Sequence, residues 1–156
     1  MKKRTKVPSY ADLPRPEPLR VYEIGSLARV PGPEGSEVIR KVVEEGLPVE
    51  LVRELQDALA QVGVPRPSKY VEVVASRAAR ARRRTLTPHE GERLVRIART
   101  LARTLEVWED EEAAAEFLTA PHPELDGDTP IDRARSEIGA RQVEDLLLRL
   151  DLGLPV

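Results

Sequence analysis

From residue 36 onward, apolar residues recur at three- and four-residue spacing, the period of a helix with one buried face. Ile39, Val42 and Val43 mark a short helix from Ser36 to Glu45, stopped by Gly46. Leu47-Pro48 opens a second helix to about Val62, with Leu51, Val52, Leu55, Leu59 and Val62 as its stripe, and Gly63 ends it. Pro65-Arg66-Pro67 is a tight link, after which Ser68 caps a helix beginning Lys69-Tyr70-Val71. Thr87-Pro88-His89-Glu90 has the form of a capping box with proline at the first helical position. It predicts the longest helix of the chain, to about Trp108, burying Leu94, Ile97, Ala98, Leu101, Leu105 and Trp108. Asp110 caps a helix over Glu111 to Leu118 that buries Ala114, Phe117 and Leu118. A proline-bounded loop then reaches Asp128-Thr129-Pro130, where Asp or Thr caps a short helix. The last helix carries Ile138, Val143, Leu146, Leu147 and Leu150 on its inward face, and Gly153 stops it before Leu154-Pro155-Val156.

The pattern predicts an all-α protein. Aromatic residues make up only 3% of the chain, so its core rests on Leu, Val and Ala, which favours helix packing. Residues 1–35 hold six prolines and little periodicity, and read as a flexible arm with at most a brief extended piece at Val21–Ile24. Lys2, Lys3, Arg4 and Lys6 sit at its start, either solvated or against phosphates or a partner. There is no cysteine, hence no disulfide, thiolate metal site or thiol nucleophile. No apolar run approaches the roughly 20 residues of a membrane span, and a soluble, cytoplasmic protein is expected.

Charge divides the chain more sharply than its net of −2 suggests. Residues 66–103 carry 11 basic and 3 acidic side chains, and residues 104–156 carry 4 basic and 14 acidic. A basic middle beside an acidic end points to two different partners. Around Ser76-Arg77-Ala78-Ala79-Arg80-Ala81-Arg82-Arg83-Arg84, a helical wheel groups Ala78 with Ala81 and puts Arg77, Arg80, Arg83 and Arg84 on another face. Arg82 falls beyond the alanines. With compensating acids scarce nearby, Lys69, Arg77, Arg80, Arg82, Arg83 and Arg84 are the candidate contacts to DNA phosphates.

Conventional chemistry is missing. His89 and His122 have no nucleophile or carboxylate in a catalytic arrangement. Glu109 to Glu112 lack a His or Cys partner, and Leu125-Asp126-Gly127-Asp128 falls short of a calcium loop. No glycine-rich phosphate loop occurs. No catalytic residue, cofactor or metal is expected.

Several segments in fixed order resemble the antitoxins of the Xre/MbcA/ParS type, which carry a C-terminal toxin-binding domain. Glu45-Gly46-Leu47-Pro48 resembles that family's "EGLP" entry, and Leu86 to Leu94 resembles its "LSPEESDRL" segment. Trp108-Glu109-Asp110 and Ala113 to Leu118 are similar to its helix ending in "WL" or "FL". Ala120 to Pro130 resembles "TPNPALGGRTP", and Gly139 to Leu147 resembles "GARRVEDLL". The likeness covers about Ser36 to Val156. It implies an Xre-like helix-turn-helix domain over residues 36–107, for DNA binding and dimerisation, packed with a small helical toxin-binding domain over 108–156. It further implies a non-enzymatic antitoxin of a type II pair, a homodimer. Such an antitoxin blocks a RES-domain toxin that depletes NAD and, with it, represses its own operon at operator DNA. The family's turn before the recognition helix usually contains glycine. Here Val74-Ala75-Ser76 stands in its place and the segment to Leu86 is shorter. Lys69 to Arg84 therefore reads as two helices with Ser76 capping the second, or as one continuous helix.

On this resemblance the toxin-binding candidates lie in the loop and at the exposed end of the last helix. They are His122, Glu124, Asp126, Asp128, Arg141, Glu144, Asp145, Arg149, Leu152, Leu154, Pro155 and Val156. The acidic charge there is expected to complement a basic partner. A stand-alone DNA-binding regulator or partition factor is the competing reading, and it requires no toxin gene alongside.

Overall fold

The computed structural model describes residues 33–156, with side chains described from Glu37 onward. The N-terminal lysines and the extended piece expected at Val21–Ile24 lie outside the described residues. Eight α-helices make up the described chain: α1 (Pro33–Glu45), α2 (Glu50–Val62), α3 (Ser68–Val74), α4 (Arg77–Arg82), α5 (Pro88–Trp108), α6 (Glu111–Thr119), α7 (Pro130–Arg133) and α8 (Glu137–Asp151). A 3₁₀ turn, Pro123–Leu125, interrupts the loop between α6 and α7. The all-α class holds. Its one extended pairing is an antiparallel bridge between Pro48 and Thr85, the only one among the described residues.

Local chemistry explains most boundaries. The Thr87 hydroxyl accepts from Glu90 N–H at 3.3 Å while the Glu90 carboxylate accepts from Thr87 N–H at 2.8 Å, completing the capping box that starts α5. Asp110, Ser76, Thr129 and Ser136 each accept an amide three residues on, at the starts of α6, α4, α7 and α8. At the far end of α8, Gly153 N–H donates to Leu150 O at 3.0 Å and Leu154 N–H to Arg149 O at 2.8 Å. With Gly153 at φ +65, this is a Schellman ending.

Several boundaries and faces differ from the sequence pattern. Proline suits a first helical turn, and α1 takes in Pro33 to Gly35, which the pattern leaves in the arm. Helix α2 begins at Glu50 rather than beside Pro48, because Leu47 to Val49 are paired elsewhere: Leu86 N–H donates to Leu47 O at 2.7 Å and Val49 N–H to Arg84 O at 3.0 Å. Gly46 permits that pairing with φ +94, and a Cβ there would stand 3.2 Å from Thr85 Cβ. Ser68 is not a cap; it is the first residue of α3, and Pro67 holds the cap position without a side-chain bond. Trp108, expected to be buried, is 37% exposed at the end of α5. Ile138, expected on the inward face of α8, is 75% exposed. It lies five residues before Val143, which at 3.6 residues per turn sets it about 140° round the helix from that stripe.

The larger core gathers α1, α2, α3 and α5 around Leu47, Leu51, Leu55, Leu59, Leu94 and Leu101, and takes in Ala114 and Leu118 of α6 and Ile131 of α7. A smaller one joins Leu125 of the loop to Val143, Leu146 and Leu147 of α8, with Val107, Phe117 and Leu150 packed against it. Helix α5 serves both: Leu94 to Leu105 face the first core, and Val107 packs against the second. It packs against α8 more extensively than any other pair of helices packs.

Candidate interaction surfaces

Two surfaces carry the residues singled out from the sequence. The first is the arginine segment. Ser76 breaks the chain between α3 and α4, so Lys69 to Arg84 is two helices and not one. Helix α4 stops at Arg82, and Arg83 is already extended at φ −126, ψ 153. The helical wheel therefore does not apply to Arg83 and Arg84, which leave the helix instead of sharing its face. The acids that seemed absent in sequence are brought in by folding. Arg80 Nη2 donates to Glu72 of α3 at 2.9 Å, and Arg83 makes a two-pronged pair with Glu90 of α5 at 2.9 and 2.6 Å. Arg83 holds the Glu90 carboxyl below the usual range, helped by the Thr87 amide and opposed by burial. Lys69 reaches away from the segment, its Nζ 2.7 Å from Asp132 of α7 and 5.3 Å from the Tyr70 ring centre. Arg77, Arg82 and Arg84 are exposed.

The second surface is the C-terminal module. Its loop is closed on itself: Gly127 N–H donates to His122 O at 3.1 Å, His122 N–H to Asp128 O at 3.1 Å, and Asp128 N–H to Leu125 O at 3.0 Å. His122 Nδ1 accepts from Glu124 N–H at 3.2 Å. That bond places the proton of the neutral ring on Nε2. Leu125 plugs the loop into the small core. The His122 ring meets the edge of Phe117, which in turn packs against Trp108 at 5.8 Å between centroids.

Charged residues of the module are mostly tied within it. Arg133 holds Asp128 at 2.9 Å, Asp126 at 2.8 Å and the Gln142 carbonyl at 2.9 Å. Glu124 pairs with Arg149, which holds its carboxyl below the ordinary value, and Asp145 stands 3.5 Å from the same arginine. Arg141 pairs with Glu137 one turn back, at 3.2 Å. Three arginines of α5 reach acids spaced seven apart on α8: Arg96 to Glu137 at 3.1 Å, Arg99 to Glu144, and Arg103 to Asp151 at 2.7 Å. Burial raises the Glu137 carboxyl, but the bonds from Arg96 and Arg141 outweigh it, and the net shift is downward.

What remains open at the module's end is apolar. Leu148, Leu152, Leu154 and Val156 are large hydrophobic residues left exposed, with Pro155 among them. Leu148 belongs with this set, though the spacing of the stripe did not single it out. Arg133 was also missed. Its signal was present: one arginine following Asp126 and Asp128 at seven and five residues, close enough to close the loop.

Residues 103–153 match the sequence model of the family described as the antitoxin Xre/MbcA/ParS C-terminal toxin-binding domain. The last third of the chain is an Xre/MbcA/ParS toxin-binding domain. No curated protein matches the chain. The match supports an antitoxin role and implies a toxin protein as partner. It begins within α5, ahead of Trp108, and takes in α6 to α8 with the closed loop. Gly139, in the stretch that resembles "GARRVEDLL", has a physical reason in this domain. A Cβ there would lie 2.0 Å from the backbone oxygen of Arg133, so α7 and the start of α8 approach closely only over glycine.

Proposed function

We propose that the protein is the antitoxin of a type II toxin–antitoxin system whose toxin is a RES-domain enzyme that depletes NAD. In this reading the C-terminal domain covers the toxin's active site, and the complex, acting as a homodimer in the cytoplasm, represses its own operon. The observation that carries it is the coincidence of the toxin-binding family match with a module most of whose acids are paired within the chain and whose free end is apolar. An apolar end suits a cleft in a partner, because burying it releases water without leaving charges unpaired. Repression is supported by two short helices broken at Ala75-Ser76 and by the exposed Arg77, Arg82 and Arg84, since cationic side chains displace counterions from a phosphate backbone.

Co-expression tests the reading. Cells making the toxin encoded beside this gene should regain growth and NAD when the full chain is present. The chain cut after Asp128 should fail to restore either. Neutralisation by the truncated chain would remove the toxin-binding assignment. An adjacent reading frame with no toxin would favour a stand-alone regulator.

A further inference from the structure

Helix α4 poses a packing problem. None of its six residues is fully buried and only Ala79 and Arg80 are half-buried, so apolar contact holds it to the body weakly. A helix this short has no stability of its own. What fixes it is polar. The Ser76 hydroxyl caps its start, accepting from Ala79 N–H at 3.1 Å. Arg80 turns back to α3, donating from Nη2 to Glu72 at 2.9 Å and from Nε to Ala75 O at 3.1 Å. Arg83 ties the exit of α4 to the first turn of α5 through both oxygens of Glu90. A two-pronged arginine–carboxylate pair is among the stronger and more directional ion pairs. The Glu90 side chain is only 12% exposed, so turning Arg83 toward a phosphate would strand a mostly buried carboxylate. Arg82, by contrast, reaches only Ala78 O of its own helix, at 3.3 Å.

We infer that the arginine segment is divided in two. Arg80 and Arg83 are positioning residues that fasten α4 to Glu72 and Glu90, and Arg77, Arg82 and Arg84 are the side chains offered to the phosphates of a nucleic acid. The first half rests on geometry alone; the second rests on the DNA binding proposed above. The division changes the set of phosphate contacts from that suggested by the sequence, where all five arginines are candidates.

Glu72→Gln and Glu90→Gln in the full chain provide the test. Glutamine still accepts from the Arg77 and Thr87 amides, and at the third helical position it preserves a capping box. Each change therefore keeps the backbone bond and removes the charge, with one of the two acceptor oxygens, that holds an arginine. Hydrogen exchange of the α4 amides is expected to quicken roughly two- to fivefold in each variant. Duplex DNA affinity should be unchanged or lower, with no steeper salt dependence. Alanine at Arg77, Arg82 or Arg84 should leave α4 exchange alone and flatten the log–log salt slope by roughly 0.9 apiece. Tighter binding by the glutamine variants with a slope steeper by roughly 0.9 each would overturn the division, as would unchanged α4 exchange. Faster α4 exchange in a protein that binds no DNA would uphold the positioning role and overturn the DNA reading.

Discussion

Helices α4 and α8 both carry residues that the sequence marks for binding, yet they are held in opposite ways. Helix α8 buries Gly139, Ala140, Val143, Leu146 and Leu147, and then adds three ion pairs to α5 along its flank. Helix α4 has no fully buried residue and depends on a cap and two arginine–glutamate pairs. The apolar contacts of α8 supply most of its attachment, since exposed ion pairs contribute roughly 0–1 kcal/mol each and a buried leucine several times that. Charged side chains on α8 are thus expendable for folding, whereas those on α4 are the means of its placement. A candidate binding residue has to be weighed against this difference before a partner is assigned to it.

The comparison can be broken most forcefully at Leu147, which is fully buried. Leu147→Ala should cost about 2–5 kcal/mol in urea unfolding, and a loss near zero would mean that the α8 stripe is not the anchor described. Gly139→Ala should cost about 1–3 kcal/mol through the enforced clash with the Arg133 carbonyl. Its circular dichroism should remain helical, because the fault lies between α7 and α8 and not within either. Leu154→Glu should leave thermal stability unchanged, being exposed, while weakening toxin binding by about tenfold or more, as a charge driven into an apolar cleft requires. Equal binding would place the contact away from the tail. For the charges of the module, their internal pairing predicts a shallow salt dependence of the toxin complex; a steep one would show that acids leave their arginines for the partner.

Acid separates the two helices more gently. The Glu90 carboxyl titrates below its usual 4.5, so its pairing with Arg83 contributes stability that is present above that value and lost as pH falls through the lowered one. Signals from α4 should therefore shift as pH drops below 4.5, while methyl groups of Val143 and Leu146, held by apolar contact, keep their native positions. Acid also loosens the Glu137 pairing, but the stripe beneath it does not titrate.

The helices were legible where the sequence states a local rule. The capping box at Thr87 and the glycine after α2 act within a few residues, and they fall where expected. The errors came from relations that distance along the chain conceals. Pro48 looked like a helix start because its partner, Thr85, is 37 positions away. The arginines looked uncompensated because Glu72 and Glu90 approach them only after two turns of the chain. Ile138 looked like core because a five-residue interval was counted with the threes and fours. In the toxin-binding domain, family likeness pointed to the right stretch, but residue choice followed charge, and folding had spent most of that charge on Arg133, Arg149 and the arginines of α5.

Helix α5 runs for 21 residues, most of its buried face in one core and Val107 near its end against the other. The recognisable domain starts at residue 103, yet Arg96 and Arg99, which grip α8, lie upstream of that line. The recognisable stretch is therefore shorter than the unit that these contacts join. Exchanging the front half at residue 103 would part α8 from Arg96 and Arg99 while leaving its apolar stripe against Val107 and Phe117 in place.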